Sequence, residues 1–409
     1  MWGRSDVGRV PAKRRATVVH TMLQTPALHP TSSLETPALL LSQPRMAANI
    51  ARMQQRVEAL GVDFRPHVKT AKCLPVARAM LGAAAGPITV STLREADQFA
   101  AQGFDDITYA VGITPNKLQH VARLLAGGVR LRVILDSVGA AQALRAAAER
   151  FAAPLGVLIE IDTDGHRAGI APDDAAALRA VATALGPPAT TPNLQLLGVL
   201  THLGASYDCR SPAALQAAAE QERAGAVRAA HHLRAAGHAA PVVSVGSTPT
   251  ALFAQDLTGV TELRAGVYVF QDLVMAGLGV CTTDDIAVSV LTSVVGHQRT
   301  KGWTLVDAGW MAMSRDRGTA GQAVDQGYGL VCDADGRVLP DYTVIAANQE
   351  HGTIAHRSGD PTRLLDLPVG ALLRLLPNHA CATCAQFSHY QLLDETQQLL
   401  AVWPRFGGW

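Results

Sequence analysis

A lysine follows a short apolar run in the first quarter of the chain. Lys69 lies in Arg65–Thr70, whose sequence is RPHVKT, directly after Val68 and two residues after His67. A lysine that is shielded from water loses its proton more readily and can form a Schiff base with an aldehyde cofactor. The alternative is a solvated lysine that begins a helix, and position alone does not decide between the two.

Two later segments combine glycine with hydroxyl side chains. Ser244–Thr250 (SVGSTPT) contains Gly246, and Arg264–Tyr268 (RAGVY) contains Gly266. Glycine lets a ligand approach the backbone, hydroxyl groups bond phosphate oxygens, and a helix that begins near Pro249 would present free N–H groups. Each segment alone fits a simple turn, but both follow predicted neighbouring strands, which favours a phosphate site. The chain has no Walker or Rossmann glycine motif, so a nucleotide is not the expected ligand.

Three further segments carry side chains that could catalyse or bind metal. Glu160–Ile170 (EIDTDGHRAGI) and Thr201–Tyr207 (THLGASY) place acids, histidines and an arginine after predicted strands, which is costly unless these groups are paired or functional. A surface loop of mixed charge is the equal alternative. Leu376–Cys384 places His379 and Cys381 two residues apart, on one face if the segment is extended. Imidazole and thiolate form a zinc-type ligand pair, although a core cysteine with a hydrogen-bonded histidine is the commoner arrangement.

The elements that must position these residues alternate along the chain. Eight strand-like runs are predicted: Phe64–Val68, Ile88–Ser91, Ile107–Ala110, Leu131–Leu135, Val157–Ile161, Leu197–Thr201, Val242–Val245 and Glu262–Arg264. Helical spacing lies between them, in stretches such as Thr70–Ala83, Asn116–Leu125, Ala140–Phe151, Pro172–Leu185 and Ala213–Ala236. This α/β pattern predicts a (β/α)8 barrel with its active site at the strand ends, and a doubly wound open sheet is the alternative.

The pattern changes after about Val280, where strand-like runs alternate with turns and no long helix intervenes. These runs are Ile286–Val295, Trp303–Val306, Gly329–Val331, Tyr342–Ala346 and Leu372–Leu376. We expect a flexible tail over 1–35, a barrel domain over 36–280 and a β-rich domain with the metal pair over 281–409. Residues 36–43 are a candidate strand of the second domain. The basic, Pro- and Ser-containing tail fits a disordered segment, a start at Met22, or a transit peptide.

Composition excludes several classes of protein. The 409-residue chain has 35 Lys and Arg against 34 Asp and Glu, so it lacks the charge excess expected for binding nucleic acid or a membrane surface. No apolar run reaches the roughly 20 residues that a membrane span needs. Six scattered cysteines indicate a reduced, cytoplasmic protein. A small-molecule substrate fits this composition best.

Taken together, the motifs resemble one family of pyridoxal-phosphate (PLP) enzymes from about Leu34 to Trp409. The family comprises D-threonine aldolases, eukaryotic-type D-serine dehydratases and D-threo-3-hydroxyaspartate dehydratases. The motif sequences are most similar to those of the bacterial 3-hydroxyaspartate dehydratases. The matching motifs are Pro66–Thr70, Ser91–Ala96, Ile161–Arg167, Ser244–Thr250, Val306–Trp310 and Pro377–Cys381. The resemblance implies an alanine-racemase-type PLP barrel, a C-terminal β domain and a divalent metal.

The resemblance also implies a role for each motif residue. Lys69 would carry PLP, Arg167 would bond its phenolic oxygen, and Tyr207 would lie near its pyridine ring. The phosphate would be held by Gly246, Ser247, Thr248, Gly266 and Tyr268. His379 and Cys381 would bind the metal, zinc or manganese first, with magnesium and cobalt as further options. Related barrels pair as homodimers, which implies the same for this chain.

The resemblance leaves the reaction open between two lyase activities on D-3-hydroxy amino acids. In a dehydratase, the metal makes the β-hydroxyl a better leaving group, and an oxo acid and ammonia result. In an aldolase, a base such as His67 or His202 takes the hydroxyl proton, and glycine and an aldehyde result. Dehydratase-like members carry His-x-Cys and aldolases often carry His-x-Asp, so Cys381 favours dehydration. A racemase or a non-catalytic PLP-binding protein is a more distant alternative, and the second domain argues against the latter.

Overall fold

The structure is a computed structural model that describes residues 29–409. Residues 1–28 of the predicted tail lie outside the described residues. The strands are β1 (His29–Pro30), β2 (Ala38–Ser42), β3 (Asp63–Phe64), β4 (Ile88–Val90), β5 (Asp106–Gly112), β6 (Arg130–Leu135), β7 (Leu155–Ile161), β8 (Leu194–Thr201), β9 (Val242–Val245), β10 (Glu262–Leu263), β11 (Val288–Gln298), β12 (Trp303–Val306), β13 (Leu330–Cys332), β14 (Val338–Ala347), β15 (Gly352–His356), β16 (Leu372–Leu376), β17 (His389–Leu393) and β18 (Gln398–Pro404). The α-helices are α1 (Gln43–Leu60), α2 (Leu74–Leu81), α3 (Leu93–Ala100), α4 (Leu118–Ala126), α5 (Val138–Ala147), α6 (Ala175–Leu185), α7 (Pro212–Ala235), α8 (Thr248–Phe253), α9 (Leu273–Gly277), α10 (Trp310–Met313) and α11 (Ala380–Cys384).

Strands β3 to β10 form a parallel sheet in the order β3-β10-β9-β8-β7-β6-β5-β4. The backbone just beyond β3 closes this sheet, because Thr89 of β4 donates to the Pro66 carbonyl (2.9 Å) and accepts from the Val68 N–H (2.9 Å). The predicted eight-stranded α/β barrel is confirmed, and the open-sheet alternative is wrong. Strand β7 is buried at every position, as expected for a strand covered on both faces.

Helices between the strands begin where the sequence provides caps. Ser211 accepts from the Ala214 N–H at the start of the 24-residue helix α7, and Pro212 occupies its first turn. Thr92 caps α3 in the same way through the Glu95 N–H. Each helix then packs its apolar face on the barrel, which holds the loops at the strand ends in place.

The second sheet has ten strands, in the order β1-β18-β17-β2-β11-β12-β15-β14-β13-β16. Its six strands β11 to β16 close into a barrel through pairing of β11 with β16. Strand β2, from the candidate segment 36–43, pairs with β11 and β17 and so belongs to this sheet. The expected tail over 1–35 needs one correction, because His29–Pro30 pairs with Gln398 and Leu399 of β18 as β1. Strands β15, β17 and β18 were not predicted.

Three consecutive residues after Lys69 attach the barrel to the second domain. The Thr70 hydroxyl lies 3.0 Å from the Cys381 sulfur, the Tyr390 hydroxyl donates to the Ala71 carbonyl (2.7 Å), and the Phe406 N–H donates to the Lys72 carbonyl (2.6 Å). These contacts set the second domain across the C-terminal ends of the barrel strands. Within residues 29–409, no helix combines the length and apolarity needed to cross a membrane.

Candidate active site

A cavity of about 590 Å³ opens at the C-terminal ends of the barrel strands, beneath the second domain. Eleven of the twelve predicted site residues line it, and Tyr268 is the exception. The eleven are His67, Lys69, Arg167, His202, Tyr207, Gly246, Ser247, Thr248, Gly266, His379 and Cys381. Residues that are up to about 310 positions apart in the chain therefore share one space.

Lys69 reaches this cavity from the loop that follows β3. The loop is fixed on both sides, since the His67 N–H donates to the Ala265 carbonyl (2.8 Å) and the Lys72 N–H donates to the Val68 carbonyl (2.8 Å). The Lys69 residue itself is exposed, while its neighbour Val68 is fully buried. An amine held at a strand end within a cavity fits the role of a Schiff-base lysine.

His67 and His202 line the cavity, and the charge of Lys69 acts on both. Burial lowers the pKa of His202 to about 3, and the positive charge of Lys69 adds to the effect. Burial, followed by the charge of Lys69, also lowers the pKa of His67 well below its usual value. Both imidazoles are therefore neutral at pH 7. The His202 Nδ1 bonds the Gly246 carbonyl (3.1 Å), so Nδ1 carries the proton and Nε2 is free to accept.

Arg167 and Tyr207 also line the cavity. The Arg167 guanidinium lies 3.8 Å from a Glu160 carboxylate oxygen, with 63% of its side chain exposed. The Tyr207 ring stands 6.2 Å from the His202 ring, and burial raises the pKa of its hydroxyl far above the usual range. Tyr207 is therefore neutral and Arg167 is a solvated cation, which suits contact with an anionic oxygen.

The predicted phosphate motifs meet at the start of α8. Ser247 caps this helix, since its hydroxyl accepts from the Thr250 N–H (3.3 Å) and the Thr250 hydroxyl accepts from the Ser247 N–H (3.0 Å). Gly246 has a φ of +132°, and a Cβ there would collide with the Arg264 carbonyl. A Cβ on Gly266 would lie 2.8 Å from the His67 carbonyl. Both glycines thus permit a close backbone approach that other residues would block.

Tyr268 lies behind this cradle rather than in it. Its ring packs edge-on against Phe64, with 5.8 Å between centroids, and its N–H donates to the Thr248 hydroxyl (3.1 Å). Only 1% of the residue is exposed. The geometry makes Tyr268 a support for Thr248, and its own contact with a phosphate stays a prediction.

The His379 and Cys381 pair enters the cavity from the second domain. The expectation of an extended segment here is wrong, because His379 precedes a short helix, α11. The buried Asp272 carboxylate accepts from the Ala380 N–H (3.0 Å), and the Thr383 N–H donates to the His379 carbonyl (3.1 Å). These bonds favour a turn over a strand. Cys384 is fully buried in the core at the far end of α11.

Without an ion, His379 is protonated near neutral pH, so a metal that binds the pair must displace this proton. Although burial lowers the pKa of His379, its hydrogen bond to Asp316 (2.8 Å) and the neighbouring Cys381 raise it to about 11. Burial raises the pKa of Cys381, but His379 and Lys69 lower it below its usual value overall. The Asp316 contact uses His379 Nδ1, which leaves Nε2 and the Cys381 sulfur as donors. Imidazole and thiolate are borderline-soft ligands that suit zinc.

Within the described residues, no cluster of three or more His, Cys, Asp or Glu side chains is arranged to hold a metal. Two protein ligands would leave an ion with open positions for water and substrate, which a catalytic site needs. The donor set thus fits an open metal site.

Several cavity residues were missed at the sequence level. Asp316 and Asp272 lie in irregular segments without a recognisable motif, so their contacts with His379 and Ala380 could be found only in three dimensions. Arg264 was quoted as part of a glycine motif but given no role. It is 4% exposed, and its guanidinium donates to the Thr201 carbonyl (2.6 Å).

Comparison with known proteins agrees with this arrangement. Residues 41–273 match the family model for the alanine racemase N-terminal domain, and residues 287–393 match the putative serine dehydratase domain. The chain is 54% identical to a D-threo-3-hydroxyaspartate dehydratase from Delftia sp. (strain HT23), over 92% of this chain and 98% of that one. The structure of that enzyme superposes with a TM-score of 0.88, over 93% of this chain and 100% of the other.

More distant relatives include both lyase types. A D-serine dehydratase from Dictyostelium discoideum is 30% identical, over 90% of this chain and 96% of that one. A 3-hydroxy-D-aspartate aldolase from Paracoccus denitrificans (strain Pd 1222) is 29% identical, over 91% and 92%. A D-threo-3-hydroxyaspartate dehydratase with 54% sequence identity has also been solved with one cysteine replaced by alanine, in the metal-free form, and superposes with a TM-score of 0.88.

Proposed function

The chain belongs to the family of PLP-dependent lyases that join an alanine racemase N-terminal domain to a serine dehydratase domain, and we propose that it dehydrates D-3-hydroxy amino acids. One observation carries the proposal: Lys69 from the barrel and the His379–Cys381 pair from the second domain line the same cavity. The 3.0 Å contact between Thr70 and Cys381 places the residue after the lysine against the metal pair.

The proposed site has two parts, one for the cofactor and one for a metal ion. PLP, when bound, withdraws electrons from the substrate Cα and so weakens the bonds to that carbon. Lys69 would anchor it, the Gly246–Thr248 cradle would hold its phosphate, and Arg167 would bond its phenolic oxygen. The free Lys69 amine is the group placed to remove a proton from Cα. A divalent ion on His379 and Cys381 would bind the β-hydroxyl as a Lewis acid.

We propose D-threo-3-hydroxyaspartate as the preferred substrate, ahead of D-serine. Identity to the Delftia enzyme supports this order. Arg210, at the cavity mouth, supports it independently. Among the described residues, its guanidinium donates only to the backbone carbonyls of Tyr207 (3.1 Å), Cys209 (2.9 Å) and Gly321 (3.2 Å), and its nearest carboxylate, Asp208, is 4.0 Å away and 77% exposed. Arg210 therefore keeps its positive charge available for a second substrate carboxylate.

Aldol cleavage is the second candidate, and the free His202 Nε2 favours it. A neutral imidazole with one open acceptor is suited to take the β-hydroxyl proton, and His67 is the other candidate. Cys381 favours dehydration because it differs from the aspartate that aldolases often carry. The same cavity supports both reactions, so their products must decide.

Product analysis tests the proposal directly. Purified PLP-loaded enzyme with zinc or manganese is incubated with D-threo-3-hydroxyaspartate and, separately, with D-threonine. We expect an oxo acid and ammonia from the first substrate, in equal amounts. Glycine and an aldehyde as the main products would establish the aldolase instead. The Lys69→Ala variant is the control and should lose both PLP absorbance and turnover.

We further propose that the enzyme is a cytoplasmic homodimer. All six cysteines lie in the described residues and none forms a disulfide, which fits a reducing compartment. Closed twofold dimers are the commonest homo-oligomers. Sedimentation of the holoenzyme at micromolar concentration should show twice the chain mass, and a fully active monomer would contradict the dimer.

A further inference from the structure

A second, smaller cavity lies where the second sheet meets the start of helix α1, next to strand β16. It measures about 20 Å³, which is room for one small ion or one water molecule. Arg374 of β16 and Arg45 of α1 line it, together with Ser42, Ser289 and Gln397. It shares no lining residue with the active-site cavity.

Arg374 is the unusual member of this set. The residue is only 5% exposed, and its Nη1 donates to the Gln397 side-chain oxygen (2.6 Å). Its Nε and Nη2 atoms are buried without a hydrogen-bond partner, and no ion pair joins it to a carboxylate in residues 29–409. Buried guanidinium groups are otherwise paired, because an isolated buried charge is strongly unfavourable. The two unpaired N–H groups of Arg374 therefore indicate a site for an anion.

Two further features make the cavity electropositive. Arg45 lies in the first turn of α1, and its nearest carboxylate, Asp284, is 4.0 Å away and 90% exposed. Helix α1 is 18 residues long, begins after Ser42 without a side-chain cap, and has no acid in its first turn. Uncapped N–H groups and the positive end of the helix dipole favour an anion, whereas a cation in the first turn is unfavourable.

One acid, Asp335, also lines the cavity and offsets these charges only in part. The Asp335 side chain is 66% exposed and pairs with Arg337 at 3.0 Å, directed to solvent. Burial lowers the pKa of Arg374; the nearby Cys332 and Asp335 raise it and the charge of Arg45 lowers it, and the net change is a fall. Two cations thus face each other across a space that would otherwise hold only water.

We propose that this cavity binds chloride between Arg374 and Arg45, at the start of α1. The small volume favours a monatomic ion over phosphate or a carboxylic acid. The ion would accept from the Arg374 Nε and Nη2 groups and would balance a charge that strand β16 otherwise buries alone. Because β16 pairs with β11 and β13, the site stabilises the second barrel and takes no part in catalysis.

Thermal unfolding of the PLP-loaded enzyme tests the site. Midpoints are compared in sodium chloride and in sodium gluconate at equal ionic strength, since gluconate is too large to enter. We expect chloride to raise the Tm of the natural enzyme by about 2 °C. Arg374→Met should lose this response, and Arg45→Gln should lose it too. Arg299→Gln removes a surface arginine of the same domain, paired with Asp366, and should keep the full response.

Crystals grown with bromide in place of chloride locate the ion directly by anomalous scattering. One bromine peak in contact with Arg374 Nε and Nη2, together with the chloride-dependent Tm, establishes the site. Two outcomes overturn it: a cavity that contains water only, or a bromine peak without any effect of chloride on Tm, which would mark an adventitious ion only. If Arg374→Met does not fold, the half-buried Arg45→Gln decides, since Arg45 carries no buried unpaired donor.

Discussion

Asp316 orients His379, the proposed metal ligand, and its removal should selectively weaken metal binding. Its Oδ2 atom accepts from the His379 Nδ1 at 2.8 Å, which fixes the ring and leaves Nε2 towards the cavity. Asp316 is held in turn by the Gly318 N–H, which donates to its other oxygen (2.8 Å). Carboxylate partners of this kind raise the basicity of a ligating imidazole and hold its tautomer.

The structure sets the size of the expected effect. Loss of such a partner typically weakens metal binding 10- to 100-fold, or about 1.4 to 2.7 kcal/mol. Asp316→Asn keeps an acceptor and loses only the charge, which water partly screens because 30% of the side chain is exposed. We therefore expect about a tenfold loss for Asp316→Asn and nearer 100-fold for Asp316→Ala.

The assay is titration of the chelated, PLP-loaded enzyme with zinc and with manganese, followed by turnover and by competition with a chromogenic chelator. PLP absorbance should not change, because the cofactor cradle lies in the barrel. Asp325→Asn, which removes a carboxylate paired with Arg317 in the same loop, is the matched control and should keep full affinity. Unchanged metal affinity in both Asp316 variants would refute the orientation role, and loss of PLP would show that the loop itself has collapsed.

Four further predictions follow from the same geometry. Cys381→Ala should behave like chelated enzyme in turnover assays, while Cys384→Ala should keep its metal. A Cys384→Ala variant that folds but is inactive would show that Cys384, and not Cys381, is the metal ligand. Gly246→Ala should weaken PLP binding at least tenfold in absorbance titrations, because the methyl group meets backbone at a φ of +132°. Arg210→Gln should lower kcat/KM for D-threo-3-hydroxyaspartate about tenfold but leave kcat/KM for D-serine unchanged. An equal fall for both substrates would mean that Arg210 has only a structural role. Glu262 is buried, but its contacts with Arg65 and Arg132 lower its pKa. Its carboxylate should therefore stabilise the fold above about pH 4.5, and this contribution should be lost as the pH falls further. Glu262→Gln should destabilise the protein at pH 7 by about 3 kcal/mol in urea unfolding and should reduce the dependence of stability on acid pH.

The apolar strand runs and the helical spacing between them were sufficient to predict the barrel, because the central strands of the parallel sheet are largely buried. Val157–Ile161 and Val242–Val245 are β-branched, apolar runs of strand length, and both are strands in the structure. The second sheet was harder to predict. Strand β17 (HYQLL) mixes polar and apolar residues, and β1 is two residues long, so neither differs locally from a loop.

In the site, too, features that depend on neighbouring residues could be predicted, whereas features that depend on residues distant in the chain could not. Residues within a motif, such as Gly246 and Ser247, could be assigned because their conformation depends on immediate neighbours. The helix at Ala380–Cys384 could not be predicted, because it is stabilised by Asp272, more than 100 residues earlier in the chain. Asp316 was missed for the same reason, since its partner His379 is 63 residues away.

The loop after Lys69 connects the proposed PLP site in the barrel with the proposed metal site in the second domain. Thr70, Ala71 and Lys72 each bond a different segment of the second domain, so the position of the lysine depends on that domain being docked. Thr70 contacts Cys381 itself, which makes the metal ligand part of the same attachment. A barrel alone could hold PLP in its glycine cradle, but it would neither fix this loop nor supply a metal ligand. We therefore expect elimination of a β-hydroxyl to require both domains, because one shared set of contacts positions Lys69 and Cys381, the residues proposed to act at Cα and to hold the ion.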